Sequence, residues 1–300
     1  MIFFMLIKKL GFFFLLLGFS CFISVVECSN VHCDILKNLS LKEYEELKLL
    51  FHYLFAEREF GYTLLGDKPM SFCLAPVCSV AVSTGEDIFK ICFKNRIDLR
   101  NALFFLNNLQ KSKIKPNYIL IVLETRGYPD YVFFINRSAF AQVFNSNIGA
   151  FKRAFGHKIT CESFLEAFQN ERIDLDEFFQ EHDLLGIMFG YGRHNAQLFE
   201  RRQMLVCGRT KIPYTLRPKP SRAFSTVEEE IGFLNQHLKL IHSNDLGLSK
   251  LDQVHFAADH DSLETKKLRK HYRATRQKLT NLFSNENWFE MILEKLCVNE

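Results

Sequence analysis

An α+β fold, mostly helical, with a small hairpin-centred sheet covered by helices, is what this sequence predicts. Three observations carry the prediction. Tyr118 to Leu123 and Tyr131 to Ile135 are continuous apolar runs rich in β-branched and aromatic residues, and the turn-rich stretch Thr125 to Asp130 separates them. Apolar residues recur at helical spacing before and after this pair. The chain of 300 residues, 48% hydrophobic and 24% charged, supplies a real core and excludes collagen-like, coiled-coil, low-complexity and disordered classes.

Ser40 with Glu43 forms a capping box, and Leu41, Tyr44, Leu47, Phe51, Leu54 and Phe55 continue one helical face. From Gly61 to Ser71 the turn residues Gly61, Gly66-Asp67 and Lys68-Pro69 flank β-favouring Tyr62-Thr63-Leu64, which predicts a small hairpin or an irregular loop. Glu86 to Gln110 is helical by periodicity, with a break near Asn95. The two apolar runs read as central strands covered on both faces, because neither alternates. Ser138 to Phe155, Cys161 to Gln169 behind a Thr160 cap, and Asp183 to Val206 read as helices. Residues 207–225 contain Pro213, Pro218 and Pro220 and read as a basic linker. Ser225 with Glu228 opens another helix to about Ile241, and Leu263 to Cys297 closes the chain as helix, interrupted near Ser284 to Asn287. The organisation is therefore a signal peptide or N-terminal anchor over residues 1–28, an α+β domain over 29–206, the linker, and a C-terminal helical region over 226–300 packed on the main domain.

Lys8 and Lys9 precede Leu10 to Val26, seventeen residues without a charge. This is the pattern of an export signal, of a length between a long cleaved signal and a short anchor. Positive charge ahead of the run holds the N-terminus inside and sends the remainder to the periplasm, the envelope or the medium. Gly18-Phe19-Ser20-Cys21 resembles the lipobox of bacterial lipoproteins, with Cys21 as the residue to be acylated, although Phe19 is bulky and Gly18 replaces the usual aliphatic residue. A cut after Cys28 is the alternative. It leaves Cys33, Cys73, Cys78, Cys92, Cys161, Cys207 and Cys297, an odd set too sparse for a disulfide scaffold. A Cys73–Cys78 bridge across a turn fits an oxidising compartment, and the other thiols read as small buried hydrophobes.

No nucleophile elbow, zinc-protease motif or Cys-x-x-Cys pair is present, so neither a cofactor nor a catalytic residue is assigned. Gly186, Gly190 and Gly192 precede Arg193-His194-Asn195, but their spacing fits neither a dinucleotide fingerprint nor a P-loop. They read as glycines that let helices approach, and the three polar residues read as a corner that could face a pocket. His255, Asp259, His260 and Asp261 are dense enough for a metal site, with His255 and Asp259 on one face if the tract is helical. The preferred reading is solvated carboxylates at the start of the next helix, and no metal is assigned. Basic residues cluster at Arg201 to Ser225 and again at Lys266, Lys267, Arg269, Lys270, Arg273, Arg276 and Lys278. Above the apolar face Leu268, Tyr272, Leu279 and Phe283, the second cluster suits an anionic lipid surface, an acidic protein partner or a solvated face. Export argues against nucleic acid.

Phe60-Gly-Tyr-Thr-Leu-Leu-Gly-Asp-Lys-Pro69 and Gly190-Tyr-Gly-Arg-His-Asn-Ala196 together resemble an uncharacterised group of exported proteins from chlamydia-like intracellular bacteria. The resemblance covers about residues 40 to 240 and implies a cell-envelope or secreted setting, with no activity attached. The sequence thus points to a non-catalytic exported envelope or secreted interaction protein. The alternative is an enzyme with a polar pocket gathered from Tyr62, Asp67 and Lys68 of the first segment and Arg193, His194 and Asn195 of the second, a reading that requires the two to converge.

Overall fold

The capping box at Ser40 starts the first helix, α1 (Leu41–His52). Ser40 Oγ accepts the Glu43 N–H, and the Glu43 carboxylate accepts the Ser40 N–H at 2.8 Å. A π-helical turn, Tyr53–Glu57, continues it and buries Tyr53, Leu54, Phe55 and Ala56 in succession. The computed structural model describes residues 39–75, 99–112, 114–125, 128–170, 172–173, 181–207, 224–240 and 256–297.

Phe60–Leu65 is a short helix, α2, where the turn chemistry predicts a hairpin or loop. Tertiary packing overrides local propensity here. A Cβ on Gly61 would stand 2.6 Å from the Phe55 carbonyl oxygen and would also collide with Leu279, so a bare glycine lets α2 press into the core. Strand β1 (Met70–Leu74) follows and joins β2 (Tyr118–Thr125) and β3 (Tyr128–Asn136) in an antiparallel sheet of order β1-β3-β2. Met70 lies opposite Ile135 and Val122 opposite Val132, with a register shift between Leu123 and Glu124. The hairpin forms as the apolar runs predict and is covered on both faces. Only β3 is central, because β1 completes one side and β2 stands at the edge.

One sheet face presents Cys73, Leu120, Val122, Val132 and Phe134 to α1, to α3 (Arg100–Ser112) and to the last helix. The other presents Met70, Ile119, Ile121, Leu123, Phe133 and Ile135 to α4 (Arg137–Ser146), α5 (Ile148–Phe155), α6 (Cys161–Gln169) and α7 (His182–Met188). Phenylalanines fill this second layer: the Phe144 and Phe151 rings are 4.3 Å apart, and Phe140 stacks on Phe164 at 5.6 Å. The helical stretch 138–155 divides at Asn147, while Thr160 caps α6 as expected. Residues 86–98, including the break near Asn95, lie outside the described residues.

The single helix read over 183–206 is instead two, α7 and α8 (Arg193–Cys207), because Gly190 and Gly192 adopt φ of 75° and 90° in the turn between them. Gly186 does permit close packing, since its missing side chain is where Ala196 of α8 sits. Helix α9 (Val227–His237) begins one residue later than the sequence suggests, capped by Thr226 rather than Ser225, and ends in strand β4 (Leu238–Leu240). This pairs with β5 (Ala257–Asp259) in a two-stranded ribbon. Helices α10 (Leu263–Phe283) and α11 (Trp288–Leu296) finish the chain with the predicted interruption between them. Among the described residues no helix is long and apolar enough to cross a membrane. Residues 1–28, most of the 207–225 linker and Cys21 lie outside the described residues.

Candidate functional site

Segments 60–69 and 190–196 meet. Lys68, 1% exposed, extends from the connection between α2 and β1 toward the turn after α7. Its ammonium donates to the Phe189 carbonyl at 2.6 Å and pairs with the Glu59 carboxylate at 3.0 Å. It also stands 4.5 Å from the centre of the Tyr191 ring, a cation–π contact. Tyr191 Oη donates to the same Glu59 carboxylate at 3.2 Å. Burial draws the Lys68 pKa below the ordinary lysine value, and the Glu59 charge offsets part of that pull. Burial pushes the Tyr191 and Tyr272 hydroxyls well above theirs, and the same carboxylate adds to it.

Gly190 rests on Pro69, where a Cβ would stand 2.5 Å from the proline ring, and its carbonyl accepts the Tyr272 hydroxyl at 3.0 Å. Tyr272, on α10, meets Tyr62 edge to face at 5.7 Å. At Gly192 a side chain would collide with the Glu264 carboxyl. That carboxylate accepts the Arg193, His194 and Asn195 N–H groups at 3.0, 2.9 and 3.4 Å, so the first turn of α10 caps the start of α8. Asn195 is spent inside the fold: its amide donates to the Tyr191 carbonyl at 2.9 Å and its oxygen accepts the Asp259 N–H at 3.0 Å. His194 Nε2 bonds Asp259 at 3.0 Å. Burial opposes ionisation of Asp259, but the bonds from His194 and the Asp261 N–H and the charges of His194 and His237 hold its carboxyl below the usual range.

Beside this packed junction lies a half-open cavity of about 280 Å³. Leu185, Gly186 and Phe189 line it from α7 and its end, Asn195, Ala196 and Phe199 from α8, and Phe256 and Ala257 from the β5 side, with Tyr191 and His182 completing the wall. Gly186 and Ala196, where α7 and α8 pack closest, form part of its wall. Tyr191 and Phe256 stack with ring centres 4.6 Å apart and planes 3° from parallel. His182 meets Phe199 edge on at 5.6 Å, and its Nδ1 is 3.0 Å from the Glu200 carboxylate.

Of the six residues singled out from sequence, Asn195 alone lines this cavity. Tyr62 and Lys68 are interior, and Arg193 is exposed at the start of α8. Asp67, its side chain 84% exposed, pairs with His271 at 3.3 Å. The segments converge, yet their polar groups are held by Glu59, Asp259, Glu264 and His271 from elsewhere in the chain and do not gather in a common pocket. His182 and Glu200 carry no motif that sequence reading could have flagged. Asp259 lies in a strand, so it cannot share a helical face with His255, which is outside the described residues; the next helix is capped by Ser262. Among the described residues no three His, Cys, Asp or Glu side chains gather as a metal ion would require.

Arg201 makes two bonds to Glu230, at 2.7 and 2.8 Å, tying α8 to α9, so this member of the first basic cluster is part of the framework. In the second cluster Lys266, Lys267, Lys270, Arg273 and Lys278 are exposed on α10. Arg276 is 1% exposed and belongs to the interior, a correction imposed by its position on the packed side of the helix. The apolar face below them is already occupied: Leu268, Tyr272, Leu279 and Phe283 pack with Tyr62, Ala258 and Phe256. Cys73, Cys161 and Cys297 are buried, and burial pushes the Cys161 thiol up to about 11, the behaviour of an inert core thiol. Cys78, the partner suggested for Cys73, is outside the described residues. Comparison of the chain with protein-family models, with curated proteins and with solved structures finds no match.

Proposed function

We propose that this is a non-catalytic exported binding protein whose ligand seat is the apolar cavity between α7, α8 and the β4–β5 ribbon. The observation that carries the reading is the division of labour around the Gly190–Gly192 turn. Lys68, His194 and Asn195 are committed to partners within the fold, while the aromatic residues Phe189, Tyr191, Phe199 and Phe256 contribute to the lining of the cavity. An apolar cavity with few polar groups is the ordinary form of a small-molecule site. Export rests on the uncharged run Leu10 to Val26 behind Lys8 and Lys9. The exposed bases of α10 supply a face for an anionic lipid surface or an acidic protein. With the apolar side of α10 used in the core, that contact is electrostatic and salt-sensitive rather than insertive.

Toluene, a shape-matched apolar probe, tests the cavity. It is expected to bind the wild-type protein in ligand-observed NMR and to lose binding in Ala257→Phe, whose ring fills the space from the half-buried edge of β5. Equal toluene binding by the two proteins, or none by either, overturns the reading.

A further inference from the structure

The cavity has one side chain able to choose among apolar ligands. His182 lines it, and Glu200, behind it on α8, fixes how the imidazole presents itself. A carboxylate only accepts hydrogen bonds, so the 3.0 Å contact places the proton of the neutral ring on Nδ1 and makes Nε2 an acceptor. Glu200 is itself buried, its side chain 8% exposed, and therefore holds the ring firmly. The Phe199 ring packs edge-on against the imidazole and limits its rotation. Four aromatic residues, Phe189, Tyr191, Phe199 and Phe256, share the remaining wall with small and aliphatic ones and suit a flat body.

From this arrangement we infer that the cavity takes a small aromatic molecule carrying an O–H or N–H donor, of the phenol or indole type, with His182 Nε2 accepting its hydrogen bond. The inference rests on the cavity being a ligand seat and adds the ligand's chemical class. An isosteric hydrocarbon gains the same aromatic contacts but leaves the imidazole nitrogen without a partner inside the site. The discrimination lies in that one bond. Asn195 does not compete for the role, because both ends of its amide are engaged within the fold.

Phenol and toluene separate the two claims when titrated against the full folded protein by calorimetry. Wild type is expected to bind phenol about tenfold tighter than toluene, the size of one net hydrogen bond. In His182→Phe the phenol preference should vanish or reverse, because a phenol O–H buried without an acceptor loses its water and gains nothing in exchange, whereas toluene loses no hydrogen bond. Glu200→Gln, which loosens control of the tautomer, should fall between. Equal phenol and toluene affinities in wild type overturn the inference and leave the apolar seat standing. A phenol preference that survives His182→Phe overturns the role of His182. Absence of binding by either probe overturns the inference together with the cavity reading. The wild-type comparison decides the matter even if a variant does not fold.

Discussion

Lys68 shows what a single residue costs and gives in this fold. A buried ammonium is tolerable because the Glu59 carboxylate, the Phe189 carbonyl and the Tyr191 ring replace its water. Lys68→Met should lower stability by about 3 kcal/mol in urea denaturation, the lower end for a broken buried pair because Glu59 keeps partial access to water; a loss below about 1 kcal/mol would contradict this account. Buried Lys68 and the partly buried Tyr191 and Tyr272 also set an alkaline limb at the junction. Lys68 has a folded-state pKa below its unfolded value, so its contribution to stability increases with pH until the ordinary lysine range near about 10.4. Tyr191 and Tyr272 have folded-state values above theirs. Their contribution is complete below about pH 10 and is lost above it, at about 1.4 kcal/mol per pH unit for each hydroxyl still protonated in the folded state. Above the lysine range only the tyrosines act, so stability should fall steeply between about pH 10.5 and 11.5, and Tyr272→Phe should make the fall shallower. A flat profile over that interval in denaturant titrations would refute the assignment. Lys68 and Pro69 read from sequence as turn residues. Their burial depends on Gly190, far along the chain, and no local pattern carries that information.

At the scale of elements, the legible caps are the short-range ones. Ser40 with Glu43, Thr160 with Ser163 and Ser262 with Thr265 bond across three residues, so they stand in the sequence beside the helices they start. The cap of α8 is different, because Glu264 reaches it from another helix. Glu264→Ala should cost about 1 to 2 kcal/mol, with Glu264→Gln costing less since it keeps an acceptor but not the charge. Hydrogen exchange at residues 193–195 localises the effect, and unchanged protection there would show that the carboxylate does not hold α8. The same distance explains two failures of sequence reading. Helix α2 forms against Leu279 despite its β-favouring residues, and α7 and α8 separate at glycines that periodicity alone passes over. Helix α10 was legible as amphipathic. What lies under its apolar face, Tyr62 and Phe256, was not.

For the whole molecule, charge and core are separated by α10. Reversing Lys266, Lys267, Lys270 and Arg273 to Glu, with buried Arg276 spared, should weaken association with the cell envelope while leaving the melting temperature within a few degrees. Unchanged partitioning in fractionated cells would count against an electrostatic partner on this face. The sequence by itself determined the fold class, the β2–β3 hairpin, most helices and several of their caps. Those features are written in period and in residues three or four positions apart, where backbone geometry alone decides which side chains meet. Only the tertiary structure decided that the 60–69 and 190–196 segments touch, that their polar residues find partners in Glu59, Asp259, Glu264 and His271, and that aromatic residues and His182 line the space beside them. Burial and side-chain pairing across the chain are set by how the helices close on the two faces of the sheet, and that packing follows from shape complementarity summed over many small contacts rather than from any motif.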